Sequence, residues 1–350
     1  MLGRASRIFQ AVLGLWVLGL SGATGVSASE EADRARHRAV FGELPTDMAT
    51  PERPMTPERV DLGRLLYFDP RLSKNHDIAC NSCHQLDRSG VDGEPTSPGH
   101  QGQRGGRNSP TVMNAGLHVA QFWDGRAADL EEQAKGPILN PVEMAMSSEE
   151  QVVAVLKSIP GYPPLFAAAF PGEPDPVSYE NMATAIGAFE RGLVTPSPFD
   201  LYLAGDDEAL SPAAQAGLEK FYALGCTTCH NGVGIGGGIY RKLGQVNPYP
   251  TPDVGRFEVT GLETDRTVFK VPSLRNVTET GPWFHDGSVT SLDEAVRLMA
   301  WHQLGLETTA EDRKQLADFL KALSGNPDAA YVAAPKQLES GPNTPAPDPN

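Results

Sequence analysis

The chain has 350 residues, enough for two domains of ordinary size with substantial cores. Its 29 Lys and Arg stand against 44 Asp and Glu, and a net charge of −15 excludes the basic face that a nucleic-acid binder needs. Glycine (36) and proline (30) make about a fifth of the residues, below the level typical of disorder, while an acidic surface favours cationic partners.

Residues 1–28 read as an export signal. Arg4 and Arg7 form a positive start, Ile8 to Leu20 is a short apolar run, and Val26-Ser27-Ala28 offers a small-residue cleavage site. The run is shorter than the roughly 20 residues a membrane span needs, so the expected destination is the periplasm. Helical signals follow. Ser147-x-x-Glu150 has capping-box spacing and opens a stretch to Ser158, which Pro160-Gly161 ends. Tyr179 to Gly192 reads as a second helix. Ser211-Pro212 starts a third that leads to Leu224. Ser291-x-x-Glu294 caps a fourth that stops at Gly305, and Thr308-x-x-Glu311 opens a last one ending before Gly325. Residues 326–350, rich in proline and small polar types, are expected to form a loose tail. The expected fold class is mainly α with long ordered loops.

The sequence also carries an internal echo. Phe122-Trp123-Asp124-Gly125 and Phe284-His285-Asp286-Gly287 are each followed by a leucine-acid segment, and each lies downstream of a cysteine-pair motif. Two diverged copies of one unit is the natural reading, with the boundary in the Pro-Ser-Pro stretch at 196–198. This predicts an N-terminal domain over 29–195 and a C-terminal domain over 196–325.

All four cysteines belong to two motifs, Cys80-Asn81-Ser82-Cys83-His84 and Cys226-Thr227-Thr228-Cys229-His230. This is the spacing of c-type haem attachment: two thiols three positions apart add to two vinyl groups, and the adjacent histidine reaches the iron. A zinc site would want four closed ligands, and a redox dithiol would need no histidine. The prediction is two covalent haem c groups.

Function then turns on the sixth iron ligands, because an open position binds substrate and a closed one only passes electrons. Met299 is the only methionine after Met182, and it sits inside a capped helix where its thioether can face a haem. A His/Met pair raises the potential, which suits an electron-entry haem. His302, three residues on, is its competitor, and His285 is a weaker one. At the first haem, His100 lies in a glycine-dense loop, Pro98 to Gly106, whose backbone can change conformation at low cost. Such a histidine could close the iron in one state and leave it in another; Met144 is a further candidate. Glu143, in Asn140-Pro141-Val142-Glu143-Met144, is the candidate proton shuttle, since desolvation there would raise its pKa.

With these residues in place, the chain resembles the bacterial di-haem cytochrome c peroxidases and their MauG-type relatives. The likeness runs from about Thr56 to Gly325. It rests on Leu62-Gly63-Arg64-x-Leu66-Tyr67-Phe68-Asp69, both haem motifs, Arg107-Asn108-x-Pro110, Phe122 to Arg126, Asn140 to Met144, Gly281-Pro282-x-Phe284-His285-Asp286-Gly287-Ser288 and Met299-x-x-x-Gln303-Leu304-Gly305. The resemblance implies two cytochrome c-like domains. It implies His84 as proximal ligand of a low-potential peroxidatic haem and His100 as its displaceable distal ligand. Glu143 would be the acid/base of the peroxide pocket, Gln133 would line it, and Trp123 would carry electrons between the haems. His230 and Met299 would be the axial pair of the high-potential haem, and Asn108 with the Thr280 and Pro282 carbonyls would hold an interdomain calcium. It further implies hydrogen peroxide as substrate, a small cytochrome c or cupredoxin as electron donor, and a homodimer.

Two other readings are open. A MauG-like oxidase of a protein substrate carries tyrosine in place of the axial methionine, whereas Met299 is present here. A non-enzymatic di-haem carrier would keep both irons six-coordinate and have no use for Glu143.

Overall fold

The computed structural model describes residues 28–350, so all of the expected export signal but its last residue lies outside the described residues. The architecture is mostly helical. Helices α1 (Ala28–Phe41), α2 (Pro57–Tyr67), α3 (Leu130–Leu139), α4 (Glu149–Ser158), α5 (Tyr162–Ala169) and α6 (Tyr179–Glu190) come first. Then follow α7 (Pro198–Ala204), α8 (Pro212–Ala223), α9 (Leu292–Met299) and α10 (Ala310–Ala322). The only paired strands among the described residues are β1 (Tyr240–Lys242) and β2 (Val268–Lys270), antiparallel, with Arg241 opposite Phe269. Long loops carry the rest.

Local chemistry explains the helix starts. Thr56, Asp129, Ser148, Ser178, Ser211, Ser291 and Thr309 each accept a backbone N–H from the first turn, satisfying one of the donors a helix leaves unpaired. Two expected caps move by one residue: Ser148 rather than Ser147 caps α4, and Thr309 rather than Thr308 caps α10. The expected single helix from Ser291 to Leu304 changes character part-way. It is α to Met299, then a π turn over Ala300–Leu304, closed by Gly305 at φ 69°. Helix α5 is not expected from the sequence, which reads Pro160-Gly161 as the end of the preceding helix; Pro163 and Pro164 fall within its first turn, where no N–H is needed.

Two cores form on the same plan. In the N-terminal core α2 crosses α6 at Gly63, where an added Cβ would sit 1.9 Å from the Ala185 carbonyl oxygen and 2.9 Å from Phe189. In the C-terminal core α8 crosses α10 at Gly217, where an added Cβ would sit 2.1 Å from the Gln315 oxygen and 2.8 Å from Phe319. Only glycine allows either approach. Beyond the haem motifs the echo continues in the backbone. Ser89 and Ile235, five residues after His84 and His230, have φ 55° and 46°, and the next glycines donate to the Gln85 and Asn231 carbonyls, both at 2.8 Å. Asn114 and Asn276 (φ 60° and 58°) and Phe122 and Phe284 (φ 65° and 71°) complete the series.

The chain ends do not respect the seam at 196–198. Helix α1, expected in the N-terminal domain, belongs to the other core: Phe41 is fully buried with its ring 5.2 Å from Phe199 and 5.8 Å from Tyr222. Residues 326–350, expected as a loose tail, lie on the N-terminal core instead. Tyr331 stacks on Phe189 at 5.2 Å and donates to its carbonyl, Leu338 packs against the core, and Arg71 donates to the Leu338 carbonyl. Composition pointed to disorder because proline and small polar residues dominate; two apolar anchors and their hydrogen bonds suffice to hold the segment. The two units also share a fully buried polar knot in which Asn114 and Asn276 both donate to the Thr195 hydroxyl, at 2.7 and 2.9 Å.

Candidate functional site

Cys80 and Cys83 bound one turn of helix whose end places His84, with Tyr67 of α2 donating to the His84 carbonyl at 2.7 Å. They open onto a cavity of about 620 Å³, within the roughly 300–1,000 Å³ typical of cofactor sites. Cys226, Cys229 and His230 repeat the turn after α8. None of the four cysteines is paired. Burial pushes the Cys83 and Cys226 thiols up to about 11 and Cys80 higher still, which disfavours the thiolate that zinc or redox exchange would use. No group of three His, Cys, Asp or Glu side chains among the described residues is placed to hold a metal ion. Both motif histidines are half-buried, with Nδ1 buried and unpartnered, and desolvation holds them below the ordinary histidine range, to about 4 at His230, which favours the neutral imidazole that ligates iron. The cavity size, the paired thiols and the orphaned imidazoles fit a covalent haem.

The cavity gathers most of the predicted residues. Gln133 of α3, Glu143, Met144, Trp123 and Asn108 all line it. Burial lifts the Glu143 carboxyl above the ordinary glutamate range, opposed by the Arg126 charge and by Asn140, whose Nδ2 donates to Glu143 Oε1 at 2.8 Å. Arg126 in turn lies 3.5 Å over the Phe122 ring. His100 is buried, although the six residues after it are exposed. Its N–H donates to the Glu143 carbonyl at 2.7 Å, so the glycine loop is fastened to the wall that carries the acid. Met144 sits in the N-terminal core and reaches the same wall.

Trp123 faces two ways. It lines the cavity and packs on a small apolar cluster of Phe269, Phe284 and Val289 that also receives Met299. Its Nε1 donates to the Asn108 carbonyl at 2.9 Å, and its ring lies 6.5 Å from His285, the residue at the equivalent place in the other copy. His285 Nε2 is 3.0 Å from Thr251 Oγ1. Met299 lies in that apolar cluster, while His302 is engaged elsewhere, its Nδ1 2.8 Å from the Asn247 carbonyl. The π turn separates two side chains that an unbroken α helix would have stacked on one face.

The family model described as di-haem cytochrome c peroxidase matches residues 57–208. The cytochrome c551 peroxidase of Pseudomonas aeruginosa is 46% identical over 323 residues, 90% of this chain and 93% of that protein. The chain belongs to the di-haem cytochrome c peroxidase family. The methylamine utilization protein MauG of Methylorubrum extorquens is more distant, 33% identical over 88% of this chain and 90% of its own. A solved MauG-like protein associated with microbial copper homeostasis matches with TM-score 0.73 and 30% identity, over 83% of this chain and 95% of that one.

Within this di-haem peroxidase chain several site residues escaped the sequence reading. Arg107 bridges the two copies, paired with Asp124 on one side and with Asp253 (2.7 Å) and Glu258 (3.0 Å) on the other. Lys270 is buried with its Nζ 3.3 Å from His118 Nδ1, and burial lowers its ammonium to about 8. Glu190, at the end of α6, lines the first cavity. A signal for it existed: Glu190 stands four and eight residues after Ile186 and Met182, on the face of α6 that is otherwise apolar.

Proposed function

We propose that this chain is a periplasmic di-haem peroxidase that reduces hydrogen peroxide to water with electrons from a small cytochrome c or cupredoxin. It consists of two cytochrome c-like domains, one haem c attached at Cys80 and Cys83 under His84 and the other at Cys226 and Cys229 under His230. The observation that carries the reading is that one cavity joins the first attachment motif to a desolvated Glu143, and that its Trp123 wall is also the wall of the Met299 cluster. When bound, the two haems supply the iron at which the peroxide O–O bond breaks and one electron each.

The residues divide the remaining work. Glu143, ionised, takes the proton of the incoming peroxide and returns it to the departing oxygen; the pKa raised by burial makes its carboxylate a stronger base for the first transfer. Gln133 orients the peroxide beside it. The His100 loop, tied to the Glu143 backbone by one hydrogen bond, swings away to admit substrate and closes again. Trp123 passes electrons from the His230/Met299 side. Asn108 with the Thr280 and Pro282 carbonyls holds a calcium. Asn108 Nδ2 donates to the Glu94 carbonyl, which leaves its Oδ1 for a cation, and neither carbonyl accepts a backbone hydrogen bond among the described residues. The assembly is a homodimer.

Stopped-flow mixing of half-reduced holoprotein with hydrogen peroxide tests the reading. Bleaching of a high-spin haem signal is expected; its absence, with both irons six-coordinate throughout, would make the protein an electron carrier. Met299→Ala is expected to change the spectrum of the second haem alone. An unaltered spectrum would transfer the ligand role to His302.

A further inference from the structure

Glu190 is an acid with no ion-pair partner. It is 3% exposed, its Oε2 has no hydrogen-bond partner, and it lines the cavity of the first haem motif. Every group that could neutralise it is committed elsewhere. The guanidinium of Arg191, the next residue, is held by both oxygens of Glu131 on α3, at 2.7 and 2.8 Å, leaving Glu131 as a like charge facing Glu190. Tyr67, on α2, spends its hydroxyl on the His84 carbonyl. Cys80, the remaining titratable neighbour, is a thioether once haem is attached. Desolvation first, and the Glu131 charge second, push the carboxyl up to about 8 against the pull of Arg191. A buried carboxylic acid so placed changes charge readily when a charge changes beside it.

We propose that Glu190 is the redox-linked proton site of the first haem, carrying a proton while that iron is ferrous and releasing it when the iron becomes ferric. The inference rests on the placement of that haem in the cavity. Per oxidation of the ferrous iron one electron leaves to the redox mediator and one proton leaves the Glu190 carboxyl, so the net charge of the buried site is conserved. The cavity wall at Gly105 and Gly106 is exposed and gives the proton its exchange with solvent.

The experiment is a potentiometric titration of the holoprotein across pH, for the unmodified chain and for Glu190→Gln, which keeps the shape and removes the titration. Below the window around pH 8 the two first-haem potentials should run together. Above it, the unmodified protein should continue to fall with pH while the Gln variant stays higher. Redox-difference infrared spectra of the unmodified chain should show a protonated-carboxyl band lost on oxidation of the first haem and absent from the variant. Parallel potential curves, or a carboxyl band that survives in the variant, would overturn the proposal. Haem content by pyridine haemochrome is measured on the same samples; fewer than two haems per chain would instead overturn the placement on which it rests.

Discussion

The two copies of the repeat differ less in backbone than in what closes them. Both cross their helices at a glycine, both follow the haem histidine with a left-handed residue, and both end in a Phe-x-Asp-Gly turn with the same signs of φ. The first copy then leaves a cavity walled by a carboxyl and an exposed glycine loop. In the second copy the equivalent turn instead brings Phe284 together with Phe269 and a methionine-bearing helix in an apolar cluster. One scaffold thus yields a wall that carries an acid and a wall that carries a thioether. The distinction lies in a few side chains and one loop.

That comparison can be broken at several points. The largest effect is expected at Glu143→Gln, which should lower kcat/KM for peroxide by about 10²–10⁴-fold, the usual contribution of a general acid/base, without moving the spectrum of the second haem. The pH profile sharpens this. Because burial raises the Glu143 pKa and the ionised form accepts the peroxide proton, kcat/KM should be lost as pH falls through a value above the ordinary glutamate range, and the Gln variant should lack that limb. An equal loss of electron-transfer rate at the second haem would mean the copies are not functionally distinct.

Smaller effects probe the shared backbone. Ile235 is fully buried at φ 46°, so Ile235→Gly relieves strain but opens a cavity; chemical denaturation should show a net loss of about 1–3 kcal/mol. Ser89→Gly at the equivalent place loses little packing and should gain about 1 kcal/mol. Asn114→Ala strips the buried Thr195 N–H of its acceptor and should cost about 1–3 kcal/mol; Asn276→Ala, which frees the partly exposed Gly325 N–H, should cost less. Equal losses would show that the knot, not the individual acceptor, sets the stability.

Much of the chemistry was legible because covalent haem attachment fixes residue types at fixed spacing. Cys80 to His84 and Cys226 to His230 could be read directly, and Glu143, Gln133 and Trp123 share one cavity as their motifs suggested. The starts of the five helices read from the sequence fell within a residue of the observed caps because capping is local. What failed was non-local. Nothing in the composition of 28–41 says that its Phe41 seeks Phe199, and the polar sequence after 326 conceals two anchors whose partners lie far back in the chain. The π turn after Met299 was invisible for a related reason: one extra residue in a helical turn leaves the hydrophobic pattern nearly intact.

The crossed ends set the order in which the molecule can be completed. In chain order the first helix has no surface to rest on until α7 and α8 follow, and the first core stays unclasped until the segment around Tyr331 and Leu338 arrives. Cleaving the polypeptide at Pro196–Pro198 would therefore not release two independent modules. Each half would carry away a piece that the other needs, and the enzyme behaves as a single parcel tied by its own two ends.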